Sequence, residues 1–292
     1  MGSDSNRTYY DLPAAYRYSL LGIYIIVFLG GIVSVAMMIG VLKSNIRSVT
    51  TLAVVNLIVV HILFLLSVPF RIYFYAVNHW HLGTNFCKLV SSLIHAHMYV
   101  AIIFYVVILV ARYVNFFQRP DRMEFYRRLH ALGASLAVWV IILCVALPVT
   151  FENYGQSKDR NETLCFNFGG ALKNPAVVTI NYILSAGVLL TTIGLACCQL
   201  YILYCVYKKY GQSSFSHQEF WAQIKSLCFV LVMVVCFMPY HLFRIYYVSN
   251  YHPDLEMQNE VFLAVTALSC FDMLTFLSRP GCRPACSNCC HF

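Results

Sequence analysis

The sequence predicts an all-α membrane protein, a bundle of seven transmembrane helices with the N-terminus outside. Three observations predict it. First, 60% of the 292 residues are hydrophobic and only 11% are charged, less than half the roughly 25% charge of a soluble domain. Mean hydropathy is +0.68. Such a chain cannot cover a surface in water, which argues against a soluble enzyme, a disordered protein or a nucleic-acid binder, even with a formal charge of +8. Second, seven apolar runs reach the length of about 20 residues that a helix needs to cross a bilayer: roughly 19–42, 51–76, 87–115, 130–150, 175–206, 222–248 and 258–278. Strict apolar/polar alternation is absent, so a β-barrel is not expected. Third, the charges between these runs are asymmetric. Twelve of the 20 Lys and Arg residues fall on the side of the C-terminus, six on the other side, and Arg71 and Arg244 lie within spans. The basic side is cytoplasmic by the positive-inside rule.

Residues 1–18 are polar and hold no apolar signal-peptide core, so the first span is expected to act as the targeting signal. Met1-Gly2 invites N-myristoylation, but Asn6 stands where Ser or Thr is needed. Asn6-Arg7-Thr8 and Asn161-Glu162-Thr163 are glycosylation sequons, and both fall on the outer side. Of the 13 cysteines only Cys87 and Cys165 lie outside, where a disulfide persists. Residues 19–278 are expected to form the membrane domain between the outer N-terminus and a short tail, 279–292. The longest loop is the outer one at about 151–174. An internal repeat, the mark of a transporter built from inverted halves, is not evident.

Local motifs then follow in order: Asn56-Leu57 and Pro69 in span two, Trp80-His81-Leu82-Gly83 in the first outer loop, and Ala111-Arg112-Tyr113 closing span three. Trp139 and Pro148 lie in span four, Cys236-Phe237-Met238-Pro239 in span six and Asp272-Met273-Leu274-Thr275-Phe276 in span seven. Together these resemble the rhodopsin-like G-protein-coupled receptors. The resemblance covers about 40–276 and implies a plasma-membrane receptor, not an enzyme, with no cofactor. Its partners would be an extracellular small molecule, a heterotrimeric G protein and membrane lipids, with no nucleic acid. It implies a disulfide between Cys87 and Cys165 and switch roles for Arg112, Tyr113, Glu219, Phe237, Pro239, Asp272 and Phe276. Arg112 lies 25 residues past Cys87, about 37 Å along a helix, which reaches the cytoplasmic face. Glu219, 20 residues before Pro239, matches the acid expected to pair with it. The plain alternative is an Arg112 that snorkels and a solvated Glu219. The inner Tyr of span five falls at Tyr201 or Tyr204, and without the usual Pro there the register stays open.

Departures from the family pattern shape the functional reading. His61 stands where span two usually carries Asp, and Ala101, Leu268 and Phe237 replace the companions of a sodium site. Sodium regulation is therefore not expected. His61 is satisfied either by a mid-membrane pair with Asp272 or by a backbone carbonyl. Ala111 replaces an acid, which leaves a constitutively active receptor or a silent decoy as an alternative. His61, His95 and His97 raise the thought of a metal-dependent membrane hydrolase, but they lie on two spans with Asp272 as the only intramembrane acid seen.

In the outer half, the place matching the Asp of amine receptors is Ile94, and span seven has no Lys for retinal. Basic groups gather instead: Arg71, His95, His241 and Arg244, with Tyr99 and Tyr240 expected to line the same cavity. His-x-x-Arg at 241–244 resembles the nucleotide- and lipid-mediator branch of the family. An Arg fork binds two oxygens of a phosphate or carboxylate at once. An anionic ligand is expected. In the tail, Cys282, Cys286, Cys289 and Cys290 read as juxtamembrane palmitoylation sites. A metal site is too crowded at this spacing, and a prenylation box lacks its aliphatic residues.

Overall fold

The computed structural model describes residues 13–42, 49–117, 133, 135–140, 165, 166, 172 and 174–276. Among them every regular element is helical. Span one is Ala14–Leu42, span two Val49–Val77 and span three Thr84–Phe117. Residues 135–140 give one helical piece of span four. Span five is Pro175–Tyr210. The Asn174 side chain accepts from the Ala176 N–H at 3.0 Å, and Pro175, lacking an N–H, loses nothing in the first turn. Gly211, at φ 57°, turns the chain out of this helix into a short 3₁₀ segment, Gly211–Ser216.

Span six is broken in its middle. An α-helix over Gln218–Val232 leads into one π turn, Met233–Phe237, and resumes as Met238–Ser249. Pro239 is the cause, because its ring clashes with the carbonyl four residues back and it has no N–H. The helix absorbs this by widening, so that the Met238 N–H bonds the Met233 carbonyl five residues earlier. Span seven begins at Pro253, runs as α-helix to Thr266 and tightens into 3₁₀ helix over Ala267–Phe276. It therefore starts five residues before the apolar run that the sequence marks.

The surface is apolar and the interior carries polar groups. Leu29, Leu66, Ile183 and Leu190 are 61–71% exposed, whereas His61, Arg71, Thr192, Gln199, Ser226, His241 and Asp272 are at most 1% exposed. This is the arrangement of a chain solvated by lipid, where polar side chains turn inward to find partners. Adjacent glycines let span one approach two neighbours closely. A Cβ on Gly30 would collide with the Phe271 ring of span seven, and one on Gly31 would lie 2.8 Å from Leu65 of span two. Asn56 ties span two to span four: its side-chain oxygen accepts from Trp139 Nε1 at 2.8 Å and from Ser135 Oγ at 2.9 Å.

Candidate functional site

The outer half is assembled from both ends of the chain. Cys87 and Cys165 are disulfide-bonded with Cα atoms 5.7 Å apart. The bond delivers Phe166, which sits at φ 68°, against Phe74, Tyr75 and Trp80. Its ring lies under the Arg71 guanidinium, 4.3 Å from centroid to carbon. Arg71 is fully buried. Its Nη1 donates to the Tyr24 hydroxyl at 3.0 Å and lies 3.5 Å from Glu260 Oε2. Tyr75 donates to the same carboxylate oxygen at 3.4 Å. The Nε and Nη2 of Arg71, and Oε1 of Glu260, are buried without a hydrogen-bond partner.

A second group lies between spans three, five, six and seven. Arg244 donates from Nε to the Asn181 side-chain oxygen at 2.9 Å and from Nη1 to that of Asn259 at 3.1 Å. His241 Nδ1 is 3.3 Å from Ser185 Oγ, and its Nε2 has no hydrogen-bond partner. The Tyr99 and Tyr240 rings stand 5.9 and 5.1 Å from that of His241. His95, on span three, is buried. Its Nδ1 meets the Ser91 carbonyl one turn back at 3.1 Å, the ordinary satisfaction of a helical histidine. Thus Tyr99, Tyr240 and His241 come together, Arg244 shares their group, and Arg71 heads a separate cluster, while His95 bonds within its own helix.

One expectation is corrected here. The sequence reading placed no acid within the outer half of a span and left Asp272 as the only intramembrane carboxylate. Glu260 is 5% exposed and contacts Arg71. It lies near the outer end of the run 258–278 and was counted with the outer loop, but the helix Pro253–Thr266 carries it inside the bundle. Asn181, Asn259, Tyr24, Tyr75 and Phe166 were also missed. Only Phe166 carried a signal, since it follows a cysteine expected to be bridged.

At mid-bundle, His61 Nε2 is 3.2 Å from Asp272 Oδ1. The first of the two arrangements considered for His61 is the one seen, and no backbone carbonyl takes its place. His61 Nδ1 faces His97 Nε2 at 2.9 Å, and Cys270 Sγ lies 3.7 Å from both nitrogens. Tyr105 donates to the other Asp272 oxygen. Its ring stands between those of Phe229 and Phe237, with centroids 5.5 and 6.0 Å away.

Toward the inner end, Arg112 Nη1 donates to Ser226 Oγ at 2.9 Å and to the Ala222 carbonyl at 3.1 Å. These bonds join spans three and six. The Tyr113 hydroxyl donates to the Leu195 carbonyl of span five at 3.2 Å. Tyr201 and Tyr204 are each 60% exposed, so both candidates for an inward tyrosine face lipid, and Gln199, Ile202 and Val206 point inward instead. The side chains of Glu219 and Phe276 lie outside the described residues, as do Pro148, Asn6, Asn161, Cys282, Cys286, Cys289 and Cys290.

Residues 33–276 match the family model "7 transmembrane receptor (rhodopsin family)". The chain belongs to this rhodopsin family of G-protein-coupled receptors, multi-pass proteins of the plasma membrane and not enzymes. It is 44% identical over 265 residues to the human "Probable G-protein coupled receptor 141", covering 88% of this chain and 87% of that one. It is 28% identical to the rat "2-oxoglutarate receptor 1", covering 76% and 66% of the two chains. It is also 29% identical to the chicken "Lysophosphatidic acid receptor 6", covering 52% and 51%.

Proposed function

We propose that the outer half of the bundle binds an anionic small molecule, lipid- or nucleotide-like, and that the inner face activates a heterotrimeric G protein. The observation that carries this reading is the free edge of Arg71. Nε and Nη2 form one side of the guanidinium fork, the side that grips two oxygens of a carboxylate or phosphate. Both are buried and without a partner, a costly state for a charged group unless an acceptor arrives. Arg244, held in position by two amide oxygens, supplies a second cation. The Tyr99 ring beside His241 suits an amphiphile with an acidic head. Two relatives are named as receptors for 2-oxoglutarate and lysophosphatidic acid, both of them anions.

Signalling is measured first without ligand and then against a panel of anionic lipids and nucleotides. Arg71→Ala and Arg244→Ala are each expected to lower agonist potency tenfold or more, about 1.4 kcal/mol. Arg→Lys at either position recovers only part of it, since a point charge replaces a fork. A cationic agonist, or one indifferent to both substitutions, overturns the reading. A receptor active without ligand is the second reading. It is favoured by Ala111, which leaves Arg112 held by a hydroxyl and a carbonyl of span six, and high basal signalling would select it.

A further inference from the structure

His61 of span two, His97 of span three and Cys270 of span seven converge with nothing in the proposed ligand reading to explain them. We propose that these three side chains bind a transition-metal ion, with Zn²⁺ the natural occupant. Their donor atoms all lie within 4.8 Å of one another. Zinc takes nitrogen at about 2.0–2.1 Å and sulfur at about 2.3 Å in a tetrahedron. That geometry separates a nitrogen and a sulfur ligand by about 3.6 Å and two nitrogens by about 3.3 Å. The two sulfur–nitrogen distances here are 3.7 Å each, and the nitrogen–nitrogen distance is 2.9 Å. A side-chain adjustment of about 0.4 Å completes the set.

The surroundings also suit a metal. A ligating histidine usually gives its second ring N–H to a carboxylate, which fixes the tautomer. His61 does this with Asp272 at 3.2 Å, so its Nδ1 lone pair aims at the cluster. Tyr105 in turn donates to Asp272. Charge closes as well. On binding, the Cys270 thiol loses its proton to solvent, and the hydrogen held between His61 Nδ1 and His97 Nε2 moves to Nδ1 of His97, freeing both facing nitrogens. The two positive charges of the ion are then matched by one thiolate and the Asp272 carboxylate, leaving a neutral site where net charge is costly. The donors are nitrogen and sulfur, which favours zinc or copper(I) over sodium, magnesium or calcium. All three ligands are at most 2% exposed. The site clamps three spans together, so any packing change that separates them must weaken metal binding, and bound metal must oppose that change.

The test uses the full chain, purified in detergent. Cys282→Ser, Cys286→Ser, Cys289→Ser, Cys290→Ser and His291→Ala remove the competing donors of the tail. Co²⁺ is the probe, since its ligand-field bands report tetrahedral geometry and its charge-transfer band reports a thiolate. One equivalent is expected to bind with both signals, to be displaced by Zn²⁺, and to raise the Tm. Cys270→Ser keeps the side chain's size and is expected to abolish the charge-transfer band and weaken binding tenfold or more. His97→Phe is expected to do the same to affinity. Metal-free Tm checks folding, and should His97→Phe fail that check, Cys270→Ser decides alone. No stoichiometric uptake by the tail-substituted chain, or a charge-transfer band that survives Cys270→Ser, overturns the site. None of these readouts depends on an outside ligand.

Discussion

Phe166 holds a left-handed backbone conformation, φ 68°, that a residue with a Cβ rarely adopts. Its ring fills the space between Trp80, Phe74 and Arg71. Phe166→Ala removes the cation–π face under the guanidinium, worth about 0.5–2 kcal/mol. Agonist potency is expected to fall several-fold with surface levels unchanged, measured by concentration–response curves. Glu260→Gln acts in the opposite direction. It takes away a carboxylate that competes for Arg71 and repels an incoming anion. Potency of an anionic agonist is expected to rise by about tenfold, or 1.4 kcal/mol, and a fall would make Glu260 a ligand contact instead. The basic members of this site were legible, because an Arg within an apolar run has few uses. Their partners were not. Asn181, Asn259 and Tyr24 are ordinary residues in a sequence, and only the helix packing aims them at a guanidinium.

Interhelical bonds decide the elements' resting arrangement. Arg112 reaches Ser226 and Ala222 of span six. Ser226→Ala removes the hydroxyl acceptor, about 1.5–3 kcal/mol for a bond to a charged donor. Basal G-protein activation is expected to rise, while Arg112→Ala loses coupling, both read in a ligand-free assay at matched surface levels. Asn56 accepts from Trp139 and Ser135. Asn56→Leu strands the indole N–H of half-buried Trp139, at a cost of at most about 1–3 kcal/mol, so the Tm in detergent is expected to drop by several degrees. Span boundaries were legible from hydropathy because bilayer thickness fixes helix length. Which face turns inward was not legible in span five. That helix is apolar all round, so pattern alone cannot set its rotation, and Tyr201 and Tyr204 prove to face lipid.

For the whole molecule, the disulfide cross-links the second outer loop to span three. Removing such a bond typically costs about 2–5 kcal/mol, and Cys87→Ala or Cys165→Ala is expected to cut surface expression sharply. A maleimide applied to intact cells should label neither cysteine in the parent chain, and labelling there would place the bond elsewhere. The class of fold was legible from charge scarcity and seven apolar runs, and the disposition of charge set its orientation. The meeting of His61, His97, Cys270 and Asp272 was legible only in part. The Asp272 contact was one of two open arrangements, whereas Cys270 looked like one more small apolar residue, and it joins the group only because spans two, three and seven share an axis.

The widened turn at Met233–Phe237 carries a consequence for span six that concerns phase rather than bending. A π turn holds one residue more than the α-helix it interrupts. Everything beyond it is therefore rotated by about 100° relative to an unbroken helix of the same sequence. His241 and Arg244 face Ser185, Asn181 and Asn259 because of that offset, and Val235, 60% exposed, marks the side that bulges into lipid. Pro239→Ala would let the turn close up. The outer third of span six would then revolve, carrying both basic side chains out of register with their partners. The expected signature is a receptor that reaches the cell surface and keeps its disulfide, yet answers to no concentration of agonist.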